Sequence, residues 1–125
     1  MGEGYQIEFR SDHVRVRLGE DFEFDPNGSE KIWRKLGQIC AENGTCRVLV
    51  EGYVPPGERE TSEVIAAGHR TAAIPRLWMA FHLENFEPTE QSELFEVIAA
   101  SKGVRVKFFS HSEHALTWLR KNTPT

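Results

Sequence analysis

Two short runs in which apolar and polar residues alternate open the chain. They cover residues 5–10 and 14–19, and a short polar turn separates them. Successive side chains of a strand point to opposite faces of a sheet, so a period of two predicts strands with one buried face. We therefore expect an antiparallel hairpin at the start of the fold. Residues 21–28 follow with Pro, Asn and Gly, which break regular structure, and we expect a loop there.

Beyond this loop, helical and strand patterns alternate. Apolar residues at helical spacing begin after Ser29, a residue type that caps helix starts. They stop at Asn43-Gly44, where glycine accepts the left-handed backbone of a C-cap. Apolar runs at residues 47–51 and 77–83 are hydrophobic on both faces, as central parallel strands are. A last strand alternates over residues 104–109.

Three more helices complete the pattern. The second helix is predicted to start at Thr61 or Ser62 and to end at Pro75. The third helix is predicted to end at Gly103, and the fourth follows a capping-box pattern at residues 110–113. The buried face of the second helix is predicted to comprise Val64, Ile65, Gly68, Thr71 and Ala72.

The predicted element order is therefore ββαβαβαβα, within a single domain that covers residues 1–125. Strands that alternate with helices of about 10–15 residues predict a parallel sheet with right-handed crossovers. The predicted fold class is α/β, with a mostly parallel five-stranded sheet, one antiparallel edge strand and four helices.

The composition of the chain narrows its function classes. A net charge of −4 argues against a general nucleic-acid binder, which normally carries a basic face. No apolar run approaches the roughly 18 residues of a membrane-spanning helix, and residues 1–10 lack the apolar segment of a secretory signal. We therefore expect a cytoplasmic protein. Cys40 and Cys46 fit a reducing compartment, and we expect two small buried side chains rather than a disulfide.

Four segments of the chain carry a resemblance that goes beyond element order. They are Y-Q-I-E-F-R at 5–10, R-V-L-V-E-G at 47–52, L-W-M-A-F-H-L at 77–83 and G-V-R-V-K-F-F-S-H-S-E-H-A-L-T-W-L at 103–119. Together with the element order they resemble SpoIIAA-like domains, also called STAS domains, and in particular the stand-alone bacterial proteins of this superfamily. The resemblance implies the SpoIIAA-like fold and a surface that binds partner proteins.

The start of the second helix is where this superfamily carries a regulatory serine. In its anti-sigma factor antagonists, a phosphorylated serine lies in the motif D-S-S-G at this helix start. The corresponding place here holds Glu60, Thr61, Ser62 and Glu63, without the serine pair and its glycine. The resemblance makes Thr61 and Ser62 the candidate phosphoacceptors. A helix cap also explains a hydroxyl there, and Glu60 and Glu63 would repel a phosphate, so we expect capping alone.

The carboxyl ends of the predicted parallel strands bring a second group of residues together. Ligands of open α/β sheets bind at this edge. A pocket for a small apolar ligand or a lipid would have aromatic and proline walls, with two histidines as its polar groups. The candidate ligand-binding residues are Tyr53, Pro55, Pro56, His82, Phe86 and His111.

The sequence offers no motif for a metal, a cofactor or catalysis. His111 and His114 are three residues apart on the last predicted helix, but no H-x-x-x-H, H-E-x-x-H or C-x-x-C accompanies them. The chain also lacks the G-x-S-x-G, G-x-x-x-x-G-K and G-x-G-x-x-G motifs. We therefore expect no metal, no cofactor and no enzymatic activity.

The second helix also has a flat, weakly charged face. Ala66, Ala67 and Ala73 fall outside its predicted buried face, and small residues let another helix approach closely. The resemblance favours a partner surface here. The leading hypothesis is a non-catalytic regulatory domain that binds another protein or a second copy of itself in a homodimer. The alternative hypothesis is the small-ligand binder with its pocket at the carboxyl edge.

Overall fold

The computed structural model of the protein describes residues 5–10, 12–19, 26–52, 61–71, 74, 76–83, 90–109 and 111–122. Within these ranges the elements follow the predicted order ββαβαβαβα, and none of the helices is long and apolar enough to cross a membrane. The elements are β1 (Tyr5–Arg10), β2 (His13–Leu18), α1 (Pro26–Asn43), β3 (Arg47–Gly52), α2 (Thr61–Arg70), β4 (Trp78–Leu83), α3 (Glu90–Ser101), β5 (Arg105–Phe109) and α4 (Ser112–Asn122).

The strands form one five-stranded sheet whose spatial order is the chain order, β1-β2-β3-β4-β5. β1 pairs with β2 in antiparallel fashion, and all other neighbours pair in parallel. The predicted α/β fold with a mostly parallel sheet and an antiparallel edge strand is confirmed. Right-handed crossovers between successive neighbouring strands place their helices on the same face of a sheet. α4 follows the last strand and is free to cover the opposite face.

One face of the sheet carries the larger hydrophobic core. Alternate residues of the central strands, among them Val48, Val50 and Met79, cluster there with side chains of α1 and α3. Leu36 of α1 is 1% exposed and Ala99 of α3 is 0% exposed. Full burial of a large aliphatic side chain stabilises a fold by about 1.5–3 kcal/mol. This face therefore supplies the larger share of the hydrophobic stabilisation.

α4 covers part of the opposite face. Leu49 of β3 and Ala80 of β4 cluster with Ala115 and Leu119 of α4, and none of the four is more than 2% exposed. Towards β1 and β2 the same face carries charge instead, because Arg15 is the register partner of Leu49 and points to the same side of the sheet. The face that α4 covers is therefore apolar under the helix and charged beside it.

Glycine ends both α1 and α3, as the sequence predicts. Gly44 and Gly103 have φ angles of 61° and 81°, in the left-handed region. In each case the backbone N–H of the following residue donates to the carbonyl five residues earlier, at 3.0 Å. This arrangement is the Schellman motif, in which a left-handed residue lets the chain satisfy the last helical carbonyls. Both predicted C-caps are confirmed.

α1 begins earlier than the sequence pattern predicts. Residues 26–28 form the first turn of the helix, whereas we expected a loop up to Gly28 and a helix start at Ser29. Proline is favoured at the first helical position because the first N–H groups have no intrahelical partner and its fixed φ suits a helix. Pro26 therefore starts a helix here, although proline, asparagine and glycine together are typical of loops. Residues 21–25 lie outside the described residues.

α2 starts at Thr61, as predicted, but it ends at Arg70 rather than at Pro75. The hydroxyl of Thr71 donates to the carbonyl of Gly68 at 2.6 Å and satisfies one of the last helical carbonyls. The helix therefore stops one turn before the proline that the sequence suggests as its end. Pro75 itself lies outside the described residues.

One residue of the predicted buried face of α2 is exposed. Gly68 and Thr71 are buried as predicted, but Ile65 is 37% exposed. Gly68 faces α3, since a Cβ there would lie 2.6 Å from Cγ2 of Ile98. A spacing of three residues rotates Ile65 by about 60° away from Gly68, towards the exposed side of this short helix. The side chain of Val64 and all of Ala72 lie outside the described part of the chain.

Candidate functional site

The carboxyl ends of β3, β4 and β5 meet the start of α4 at one edge of the sheet. Glu51, His82 and Phe109 are register partners and form a row across these three strands. α4 begins at Ser112, directly beyond β5, and runs back over the sheet from this edge. This is the edge at which the sequence predicts a ligand site.

An open pocket of about 380 Å³ lies at this edge. Its wall includes His82 of β4 and four consecutive residues at the start of α4, which are His111, Ser112, Glu113 and His114. All five side chains are polar, and the four contributed by the start of α4 are exposed or half-buried. The described part of the wall therefore suits a polar ligand better than an apolar one.

Two charged side chains lie next to one another beside His82: Glu51 is adjacent to His82, and Arg15 is adjacent to Glu51. Nδ1 of His82 lies 3.7 Å from Oε2 of Glu51, and the other carboxylate oxygen of Glu51 accepts a hydrogen bond from Nε of Arg15 at 2.6 Å. The three side chains are only 19–24% exposed. At 3.7 Å the carboxylate of Glu51 lies close to the His82 ring but beyond direct hydrogen-bond distance. The hydrogen bond from Arg15 fixes the position of Glu51 beside His82.

The other two histidines of the pocket face each other. The rings of His111 and His114 meet edge to face, with centroids 5.1 Å apart and an interplanar angle of 77°. Residues three apart at the start of a helix are neighbours on its surface, and this spacing places both imidazoles at the pocket. Three imidazoles therefore share one pocket wall.

The structure brings two of the predicted ligand-binding residues together. His82 and His111 line the same pocket, although they are 29 positions apart in the sequence. The predicted set did not include Ser112, Glu113 and His114. Their signal in the sequence is their position beside His111 at the start of a predicted helix on the same edge. The other predicted members, Tyr53, Pro55, Pro56 and Phe86, lie outside the described residues.

Metal binding finds no support in the described part of the chain. Among those residues, no group of three or more His, Cys, Asp or Glu side chains has a geometry that could hold a metal ion. The three histidines of the pocket are therefore near one another without forming a ligand set.

The candidate phosphoacceptors stand at the first turn of α2. Thr61 is its first residue, and Ser62 follows with an exposed side chain.

Of the candidate partner residues, Ala66 is half-buried. The side chains of Thr61 and Ala67 and all of Ala73 lie outside the described part of the structure.

α2 and α3 pack closely against each other, and each carries an apolar side chain that is exposed to solvent. Ile65 of α2 is 37% exposed and Val97 of α3 is 65% exposed, and they are two of the three exposed large hydrophobic residues in the described ranges. Ala100 is also exposed, three residues after Val97. We refer to Ile65, Ala66, Val97 and Ala100 as the α2–α3 surface. Exposed apolar side chains on two helices that pack together are the feature that the partner-binding hypothesis requires.

A second cluster of charges joins the opposite edge of the sheet to the end of α4. Asp12 accepts a hydrogen bond from Nε of Arg120 at 2.7 Å, and its other oxygen lies 2.8 Å from Nδ1 of the buried His13. Nη1 of Arg47 lies 3.9 Å from the same carboxylate. The hydrogen bonds from Arg120 and His13 lower the pKa of Asp12 to about 2. The cluster fastens the β1–β2 turn to the last turn of α4.

Both cysteines are free thiols. Cys40 is 3% exposed in the larger core, and burial raises the pKa of its thiol to about 11. A thiol in this environment is neutral and behaves as a small hydrophobic side chain. Cys46 is half-buried at the start of β3.

The chain matches no protein-family model and no curated protein.

Proposed function

We propose that this protein is a non-catalytic, cytoplasmic SpoIIAA-like domain that acts by binding another protein or a second copy of itself. The observation that carries the proposal is the α2–α3 surface. Ile65 and Val97 present large apolar side chains to solvent on two helices that pack against each other. The resemblance of the sequence to SpoIIAA-like domains favours partner binding by α2, which contributes Ile65 and Ala66 to this surface. A partner helix would cover these side chains and remove them from water.

Glutamate substitutions test the α2–α3 surface. Val97→Glu and Ala100→Glu should weaken partner binding by about tenfold or more, because a charge buried in an apolar interface loses its hydration. Ala41→Glu is the matched control, since Ala41 is an exposed alanine on α1. Light scattering over a concentration series measures self-association, and capture with the purified protein measures binding of another protein. A strict monomer that captures no partner, whatever the substitution, would contradict the proposal.

A second candidate function is supported by the pocket at the carboxyl edge. The observation that favours it is the convergence of His82 and the start of α4 on a pocket of about 380 Å³. The sequence suggests an apolar ligand or a lipid, whereas the described wall consists of polar side chains. We therefore propose a small polar molecule as the ligand of this second candidate function.

Native mass spectrometry of the protein as purified tests this second function. A bound small molecule that is lost from the His82→Gln variant would support it. His69→Gln is the matched control, because His69 is an exposed histidine on α2 and is not part of the pocket wall. An unliganded mass under several expression conditions would count against the second function without affecting the partner-binding proposal.

A further inference from the structure

The described wall of the pocket consists mainly of groups that can donate hydrogen bonds. His82, His111 and His114 contribute imidazole N–H groups, and Ser112 contributes a hydroxyl. The only carboxylate in this described wall belongs to Glu113. A purely apolar ligand would leave these donors unpaired, whereas a ligand whose polar atoms are all acceptors would satisfy them.

The charged groups around His82 favour a negatively charged ligand. The nearest carboxylate, that of Glu51, is already engaged by Arg15 at 2.6 Å. Phe109 is the register partner of His82, and Nζ of Lys107 lies 5.5 Å from the centre of its ring. The charged groups of the described residues that share the face of β2–β5 or the pocket wall with His82 are Arg15 and Arg17 of β2, Arg47 and Glu51 of β3, Arg105 and Lys107 of β5 and Glu113 of α4.

We propose that this pocket binds a small tetrahedral oxyanion, either free or as the end group of a phosphate monoester. The inference rests on the second candidate function and names its ligand class. Oxyanions only accept hydrogen bonds, so they match a wall of imidazoles and a hydroxyl.

Sulfate is the probe for the first experiment, because it is a tetrahedral oxyanion that only accepts hydrogen bonds. The histidine ring signals of the intact protein are followed by NMR during a sulfate titration, with sodium chloride holding the ionic strength constant. We expect saturable shifts of the His82, His111 and His114 signals, because all three rings line the pocket. The His69 signal should not move.

Two substitutions in the pocket wall should change the affinity for sulfate in opposite directions. His82→Gln should weaken sulfate binding by about tenfold, since it removes one of the three imidazoles of the described wall. Glu113→Gln should strengthen binding by roughly threefold, because it removes the negative charge of the described wall. His69→Gln should leave the affinity unchanged. Thermal unfolding of each variant shows whether the fold is intact, and the exposed position of Glu113 keeps that variant informative if His82→Gln fails to fold.

Inorganic phosphate and glycerol 3-phosphate then distinguish the two sources of the oxyanion. If inorganic phosphate and glycerol 3-phosphate bind with comparable affinities, the pocket accepts the end group of a phosphate monoester. If only inorganic phosphate binds, the ligand is the free anion. Unsaturable shifts, an equal response of His69, or a sulfate affinity that neither His82→Gln nor Glu113→Gln changes would overturn the inference. If sulfate does not bind but native mass spectrometry finds a neutral molecule that His82→Gln removes, the ligand-binding function stands and the oxyanion class is wrong.

Discussion

Gly52 is a position at which the fold tolerates only the smallest residue. It ends β3 with a φ of 129°, and a Cβ there would lie 2.0 Å from the carbonyl oxygen of Leu18. Gly52→Ala should therefore lower the free energy of unfolding by about 2–5 kcal/mol, through backbone strain and overlap with the neighbouring strand. Gly44→Ala is the control, because that glycine has a φ of 61° with nothing within 4 Å of a Cβ, and it should cost about 1 kcal/mol. Urea unfolding measures both, and equal costs would contradict the packing argument.

Asp12 makes the stability of the protein depend on pH. Its pKa of about 2 in the folded protein is below the ordinary 3.8. The ionised carboxylate therefore contributes stability above about pH 4, and this contribution is lost as the pH falls towards 2. Asp12→Asn should lower the free energy of unfolding by about 1 kcal/mol near pH 7, a value that allows for solvent screening of a partly exposed pair. Urea unfolding near pH 3 should show a smaller difference.

Arg120→Gln is the matched control for this prediction. It removes the strongest hydrogen bond to Asp12, so it should cost a similar free energy near pH 7. The double variant should then lose little more than either single variant, because both remove the same interaction. A cost of Asp12→Asn that does not change with pH would be inconsistent with a role for the ionised carboxylate.

Ser62 lies where SpoIIAA-like domains, which the sequence resembles, carry a regulatory serine. The side chain is exposed at the first turn of α2, next to Glu63 in the sequence. We expect cellular kinases to leave Thr61 and Ser62 unmodified, and Ser62→Ala to cost at most about 1 kcal/mol, the scale of a lost helix cap. If the switch survives, Ser62→Asp should instead alter partner affinity far more than stability. A phosphopeptide covering Thr61 and Ser62 from native cells would refute our expectation.

At the scale of elements, two helical glycines should respond to alanine in opposite directions. At Gly68 of α2 an added Cβ would lie 2.6 Å from Cγ2 of Ile98, so Gly68→Ala should separate α2 from α3 and cost about 1–3 kcal/mol. At Gly37 of α1 the nearest atom is Cγ1 of Ile74 at 3.6 Å, an ordinary contact. Gly37→Ala should raise the free energy of unfolding by about 0.4–1 kcal/mol, since alanine restricts the unfolded chain. Thermal and urea unfolding of the two variants measure the sign of each change in the free energy of unfolding. If both substitutions stabilise the protein, the close approach of α2 to α3 at Gly68 is not required.

Element order was predictable because each element has its own local pattern. Strand alternation and glycine caps depend on neighbouring residues alone, and Gly44 and Gly103 end their helices as expected. The start of α1 was not predictable in this way, because Pro26 is compatible with both a loop and a first helical turn. The exposure of Ile65 depends on how α2 meets α3, which the periodicity of a ten-residue helix does not specify.

At the scale of the whole molecule, the pocket was predictable only in part. Parallel strands share a carboxyl edge, and this rule places His82 and His111 at the same end of the sheet. The polar character of the wall was not predictable, since it depends on which turn of α4 borders the end of β4. Similarly, the link from Arg15 through Glu51 to His82 requires three neighbouring strands in register, and only the folded sheet supplies that register.

The chain order of the strands also has a consequence for synthesis on the ribosome. Because each strand lies beside the previous one, a nascent chain can extend its sheet as each new segment emerges, without waiting for a distant partner. The α4 face is the exception. Leu49 and Ala80 are made long before Leu119, which covers them in the finished protein. An apolar stripe on that face therefore stays exposed to chaperones until α4 has left the ribosome.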